Sequence, residues 1–108
     1  MRSSQILSRR IRTDPRAAQE LIAAAEWYEG ERSGLGREFE AAIHAAIADL
    51  ASGLFSGSRI PGRGPEVRRL VLTRFPYDIV FLPRPNELVI VAIAHQARRP
   101  GYWRNRLR

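Results

Sequence analysis

The side chains able to do chemistry here crowd into one short stretch. His95, Arg98, Arg99 and Tyr102 fall directly after an apolar run, ELVIVAIAH. Arg68, Arg69 and Arg74 lie on VRRLVLTRF, which a sheet would bring beside that run. Guanidinium groups hold phosphates and carboxylates through paired N–H donors, so the gathering fits an anionic ligand. An imidazole titrates near neutrality and could move a proton in phosphodiester chemistry. The target- or phosphate-binding candidates are therefore Arg68, Arg74, Arg98, Arg99, Tyr102 and Trp103. In a plainer reading His95 caps the strand end, and the arginines pair with helix acids such as Glu26, Glu29 and Glu31.

Other chemistries find no footing. The chain has no cysteine, which removes disulfides and thiolate zinc sites and is compatible with a reducing cytoplasm. It has no lysine, so no phosphate loop ending in GK[ST] exists. Gly34-x-Gly36 and Gly62-x-Gly64 lack the third glycine of a dinucleotide fingerprint, and no GxSxG elbow occurs. His44 and His95 each stand without a second histidine nearby, so no metal and no cofactor is expected. The longest apolar run, Leu88 to Ala94, is far short of the ~20 residues of a membrane span. The opening MRSSQILSRRIR has charge but no apolar core of a secretory signal.

Charge divides the chain more sharply than composition does. All 18 basic residues are arginine. Residues 14–53 carry three arginines against eight acids, a net of −5, whereas residues 54–108 carry eleven against three, a net of +8. Such a split points to an anionic partner for the later half: a nucleic acid, an acidic protein surface or an acidic disordered segment.

The elements that must position the basic cluster follow from local signals. At 108 residues the chain fits one domain, 1–108, with a single core. Ile6, Leu7 and Ile11 among polar residues predict a short, charged edge strand over 5–12. Asp14-Pro15 is a helix start, followed by Ala17, Leu21, Ala24 or Ala25, and Tyr28 at helical spacing. Trp27 and Tyr28 are expected to anchor its apolar face, with base or ligand stacking as the alternative role. After Ser33-Gly34 a second helix carries Leu35, Phe39, Ile43, Ala46 or Ile47, and Leu50, leaves His44 half exposed, and ends at Gly53. A break this short predicts an antiparallel αα-hairpin.

Residues 53–66 are rich in Gly, Pro and Ser, a loop with a short strand at Ser58 to Ile60. VRRLVLTRF, YDIVFL and ELVIVAIAH, separated by Pro76 and the Pro83–Asn86 turn, read as an antiparallel meander. Strict alternation sets Ile79 and Phe81 against Val80 and Leu82, and Ile90 and Ala92 against Val89, Val91 and Ile93. Both faces are thus apolar, and a helix hairpin covers one. The other is expected to be covered in part by a partner chain, with the residues after His95 as the alternative.

From about Ile11 to Arg106, the words AAEWYE, SGLGREFE, VRRLVLTRFPYDIVF and VIVAIAHQARRPGYW closely resemble the RelE/ParE superfamily of bacterial type II toxins. The resemblance implies an α+β fold: an N-terminal edge strand, an antiparallel αα-hairpin packed on a small antiparallel sheet, and here a short basic tail. It implies a cognate antitoxin whose acidic, otherwise disordered segment wraps the toxin, giving a hetero-oligomer. It also implies one of two activities, both cytoplasmic and without a membrane. RelE-like members cleave mRNA on the ribosome with scattered basic residues and a late tyrosine; ParE-like members bind and poison DNA gyrase.

In the cleaving branch an arginine directly follows the tyrosine of the core strand, and here Asp78 follows Tyr77. Arg69 is the one basic counterpart of that branch's strand lysines, with Val71 at the second place. Arg98 and Tyr102 match its late arginine and tyrosine. The nuclease set would thus be Arg69, His95, Arg98 and Tyr102, but an aspartate would repel the scissile phosphate. The resemblance therefore favours the ParE-like branch, a toxin that binds a target protein such as gyrase. The alternatives are a ribosome-dependent endoribonuclease and a non-toxic nucleic-acid-binding remnant.

Overall fold

Asp14 starts the first helix as its residue type dictates. The computed structural model describes residues 9–107. Asp14 is extended, its carboxylate accepts the Arg16 N–H at 2.8 Å, and Pro15 takes the first helical place. The Arg16 guanidinium also donates to this carboxylate and holds its pKa below the usual value. Helix α1 runs Pro15–Glu31 and helix α2 runs Leu35–Ser52. Gly34 opens α2 with φ 91° and has no side chain to cap it. Glu29 of α1 supplies the cap instead, accepting the Gly34 and Gly36 N–H groups at 2.9 and 3.0 Å. Those two backbone donors, Gly34 first, lower the Glu29 pKa.

Gly36 lets the helices touch: a Cβ there would sit 2.4 Å from the Ala25 carbonyl oxygen. Gly36→Ala is accordingly expected to cost about 2–3 kcal/mol, because two backbones would have to separate. Gly30 has open space around its would-be Cβ. Gly30→Ala should therefore gain about 0.5–1 kcal/mol from helix propensity. Opposite shifts of the two urea midpoints are the expected result, and shifts of the same sign would refute this account of the crossing.

Five strands form one sheet in the order β1-β5-β4-β3-β2, with β1 Arg10–Thr13, β2 Ser58–Ile60, β3 Val67–Val71, β4 Tyr77–Pro83 and β5 Glu87–His95. The short strand at Ser58 is present as expected. The first strand is four residues long and lies at the sheet edge; the rest of its predicted span, up to residue 8, is outside the described residues. It runs parallel to β5, pairing Arg10 with Glu87 and Thr13 with Ile90, so the sheet is mostly rather than wholly antiparallel. No tight turn joins β1 to β5, so neither direction is imposed by a hairpin, and the chain returns through the helices and three other strands.

Alternation fails at one point in β5. Val80 faces Ala92 but Phe81 faces Ile90, which leaves Val91 as the extra residue of a β-bulge. Beyond the bulge the faces exchange. Ile93 joins Leu88 and Ile90 against the helices, while Ala92 joins Val89, Val91 and Ala94 on the opposite side. Strict alternation had assigned Ile93 and Ala92 the other way round.

Each face has its own core. On the helix side Ala17, Phe39, Ile43, Leu50, Ile79, Phe81 and Ile90 are fully buried or nearly so. Tyr28 anchors α1 there, with ring centroids 5.1 Å from Phe39 and 5.0 Å from Phe75. Trp27 does not share that role: one step along a helix rotates it off the stripe, and it is 62 % exposed. The second face is not left for a partner. Gly101 (φ 75°) turns the chain back after β5, and Trp103, 5 % exposed, joins Val80, Leu82, Val91 and their neighbours in one buried cluster, with Tyr102 and Leu107 packed against it. The expected partner cover is thus supplied by this chain.

Candidate functional site

The segment after β5 builds the site. Where β1 stops at Thr13, β5 continues without a strand on that side, so its backbone groups need other partners. Glu20 of α1 accepts the Ile93 N–H at 3.0 Å, and the Arg106 guanidinium donates to the Val91 carbonyl at 3.1 Å. Arg106 also forks onto both Glu20 oxygens, each at 3.0 Å, and the Tyr102 hydroxyl donates to Glu20 at 2.7 Å. This latch fixes the returning chain against α1. Glu20 is an acid three residues after Ala17 and four before Ala24, hence on the apolar stripe. That misplaced charge was its signal in the sequence, and it was missed.

Above the latch, Tyr102 acts as a platform. Burial first, then its bond to Glu20, pushes the phenol pKa far above its ordinary value, so it holds its proton at neutral pH. The Arg98 guanidinium lies 3.8 Å over the Tyr102 ring centroid. Arg104 lies 5.0 Å from the Trp103 ring centroid and donates to the Pro61 carbonyl at 2.8 Å.

Between these groups and the ends of β3, β4 and β5 runs a groove of about 320 Å³, bordered by Arg69, Asp78, His95, Arg98 and Arg104. Asp78 lies within it. It accepts from the Gln96 amide at 3.1 Å and sits 3.9 Å from the Arg69 guanidinium, with its own side chain 13 % exposed. The position that carries arginine in the cleaving branch therefore holds a carboxylate already engaged with Arg69. His95 Nδ1 accepts the Ala97 N–H at 3.0 Å and its ring meets Tyr77 edge-on at 5.0 Å. With Nδ1 occupied, the neutral ring keeps its proton on Nε2, and the imidazole caps the strand end as the plainer reading held.

The candidates therefore separate. Arg69, His95 and Arg98 meet at one groove, Tyr102 lies beneath Arg98, and Trp103 forms part of the floor while most of its ring is core. Arg99 is exposed outside the groove. Arg68 is a brace for the loop before β2, donating to the Ser56 and Gly57 carbonyls and to Glu66. Arg74 pairs with Glu38 of α2. Arg104 belongs to the groove and was not among the expected residues, because only the backward turn of the chain brings it there. Among the described residues no three side chains are grouped to hold a metal ion, and no helix is long and apolar enough to cross a membrane.

Two helices on a mostly antiparallel five-stranded sheet define a small α+β architecture. It is shared with a chain solved within the chromosomal ParDE toxin–antitoxin system from P. aeruginosa. That chain is 22 % identical with a TM-score of 0.68, over 82 % of the present chain and 96 % of the other. A family model for the ParE toxin of the type II toxin–antitoxin system, parDE, matches residues 11–100, so the chain belongs to the ParE toxin family. No curated protein matches it.

Proposed function

We propose that this chain is a cytoplasmic toxin that arrests growth by binding DNA gyrase, and that an antitoxin with an acidic, disordered segment neutralises it in a toxin–antitoxin hetero-oligomer. Membership of the ParE family supports the toxin class. The observation that carries target binding over RNA cleavage is the state of the groove. Asp78 stands where the cleaving branch has arginine, His95 Nδ1 is committed to Ala97, and the Tyr102 proton is committed to Glu20. A groove so wired offers guanidinium contacts but no free base or acid pair.

The gathering of Arg69, His95 and Arg98 keeps ribosome-dependent endonuclease activity as the competing reading. Purified toxin is expected to inhibit gyrase supercoiling and to trap cleaved DNA. Arg98→Glu should weaken both effects by at least about tenfold, the scale of one lost charge contact. Untouched supercoiling at toxin excess, together with new mRNA 5′ ends after induction, would instead establish the nuclease. Expression without any growth arrest would leave a non-toxic remnant.

A further inference from the structure

Three side chains in the groove, Arg69, Asp78 and Gln96, are placed by strand register. Asp78 pairs with Val71 of β3 on one side and Ala94 of β5 on the other. Arg69 stands opposite Val80, two residues along β4, so it reaches the Asp78 carboxylate diagonally, at 3.9 Å. Gln96 follows Ala94 by two residues, and its backbone N–H donates to the Pro76 carbonyl at 2.8 Å, which carries the pairing just past β5. Its side-chain amide donates to Asp78 at 3.1 Å. The carboxylate is thus held from both neighbouring strands. Its side chain is 13 % exposed, whereas that of Arg69 is 51 % exposed. A carboxylate withdrawn from water is costly unless partners fix it, and here the sheet supplies them. Arg69 is open to solvent, but the charge beside it cannot leave.

Resting on the reading that this groove does not serve RNA, we propose that Asp78 is its specificity-determining residue: the carboxylate shuts nucleic-acid phosphates out of a rim that is otherwise basic. A phosphate is taken by the N–H donors of a guanidinium. At Arg69 it would arrive beside a second fixed negative charge, where little water intervenes to screen the repulsion. Arg98 stacks on Tyr102 and has no carboxylate partner among the described residues, so it remains a cation for a ligand. One cation holds a strand poorly, because affinity for nucleic acid grows with the number of phosphates neutralised. Without the Asp78 charge, Arg69 and Arg98 would border one groove as two free cations. A protein partner meets no such bar, since it can offer a donor to Asp78 and an acceptor to Arg69. The repulsive group excludes one class of ligand at little cost to the other.

The test uses the purified full chain with a short labelled single-stranded RNA, and a peptide nucleic acid of the same bases as the uncharged probe. Asp78→Asn keeps the size of the side chain and an oxygen for Gln96 while removing the charge. It is expected to bind the RNA about tenfold more tightly than the parent. The log–log salt slope should steepen by about 0.7, the value of one further phosphate contact on a single strand. Asp78→Ser, which removes the charge in a different shape, should give a gain of the same size. Both gains should vanish in an Arg69→Gln background, and neither should extend to the uncharged probe. Equal RNA binding by the parent and both variants would overturn the proposal, as would a gain that survives the loss of Arg69. A lower melting temperature without any change in RNA affinity would reduce Asp78 to a structural brace and overturn it too. Cleavage of mRNA by the parent would sink the reading beneath the proposal. Intact gyrase inhibition with no gain in RNA affinity would sink only the role given to Asp78.

Discussion

Glu20→Ala is expected to lower the free energy of unfolding by about 3 kcal/mol, a large share of the stability of a domain this size. The carboxylate receives the Ile93 N–H, the Tyr102 hydroxyl and two N–H groups of Arg106. Alanine would leave all of them short of a partner at once. The Arg106 side chain is 10 % exposed and that of Glu20 17 %, so water replaces little of what is lost. Removing one member of a buried pair typically costs 3–5 kcal/mol, and partial access to solvent places this case at about the lower end. Glu20→Gln keeps one acceptor oxygen but turns an N–H₂ toward donors, so it should cost about half as much. Guanidinium denaturation of the three proteins checks the order. The Tyr102 phenol gives a second readout: without Glu20 its pKa should move back down toward the ordinary tyrosine value. An unchanged midpoint would show that the latch is surface decoration.

Trp103→Ala should cost about 4 kcal/mol, in the range for deleting a large buried aromatic side chain. It is the largest side chain of the buried cluster on the second face, which also holds Val80, Leu82, Val89 and Val91. Its loss would also open those residues to water, so binding of a hydrophobic dye should rise as stability falls. Trp27→Ala is the matched control, because Trp27 is 62 % exposed and its ring stands edge-to-face with Tyr28 at 5.2 Å. Its expected cost is within about 0.5 kcal/mol. Equal melting temperatures for the two variants would refute the division of roles between the tryptophans.

Local signals carried the helices. Asp14-Pro15, the apolar stripes and Gly53 are short-range features, and the helices formed where those features placed them. The meander was equally plain from its turns. Long-range features were harder to read. The bulge at Val91 leaves no mark in the run LVIVAIA, where every residue is apolar, so a shift of one residue changes no pattern. The parallel pairing of β1 depends on where the whole chain returns. The stretch QARRPGYWRNRLR read as a basic tail, and a partner was favoured over it as cover for the second face; Pro100-Gly101 followed by Tyr102-Trp103 was the packing signal within it. Four members of the groove, Arg69, His95, Arg98 and Trp103, were visible as residue types. Their partners Asp78, Gln96 and Arg104 come together only through register and the turn at Gly101.

The place of β5 in the sheet also governs when the toxin can exist. Ile11 has no partner until Leu88 has been made, and Glu20 none of its side-chain donors until Tyr102 and Arg106 have been made. A ribosome moving along the message therefore first releases a helix hairpin without a sheet to lie on. Contacts of such long sequence separation form late and slowly. The groove, whose rim needs β3, Arg98 and Arg104 together, takes shape only after nearly all of these residues have left the ribosome. Under the function proposed above, strand order thus gives synthesis an interval before the groove can act, and a neutralising partner has that interval in which to arrive.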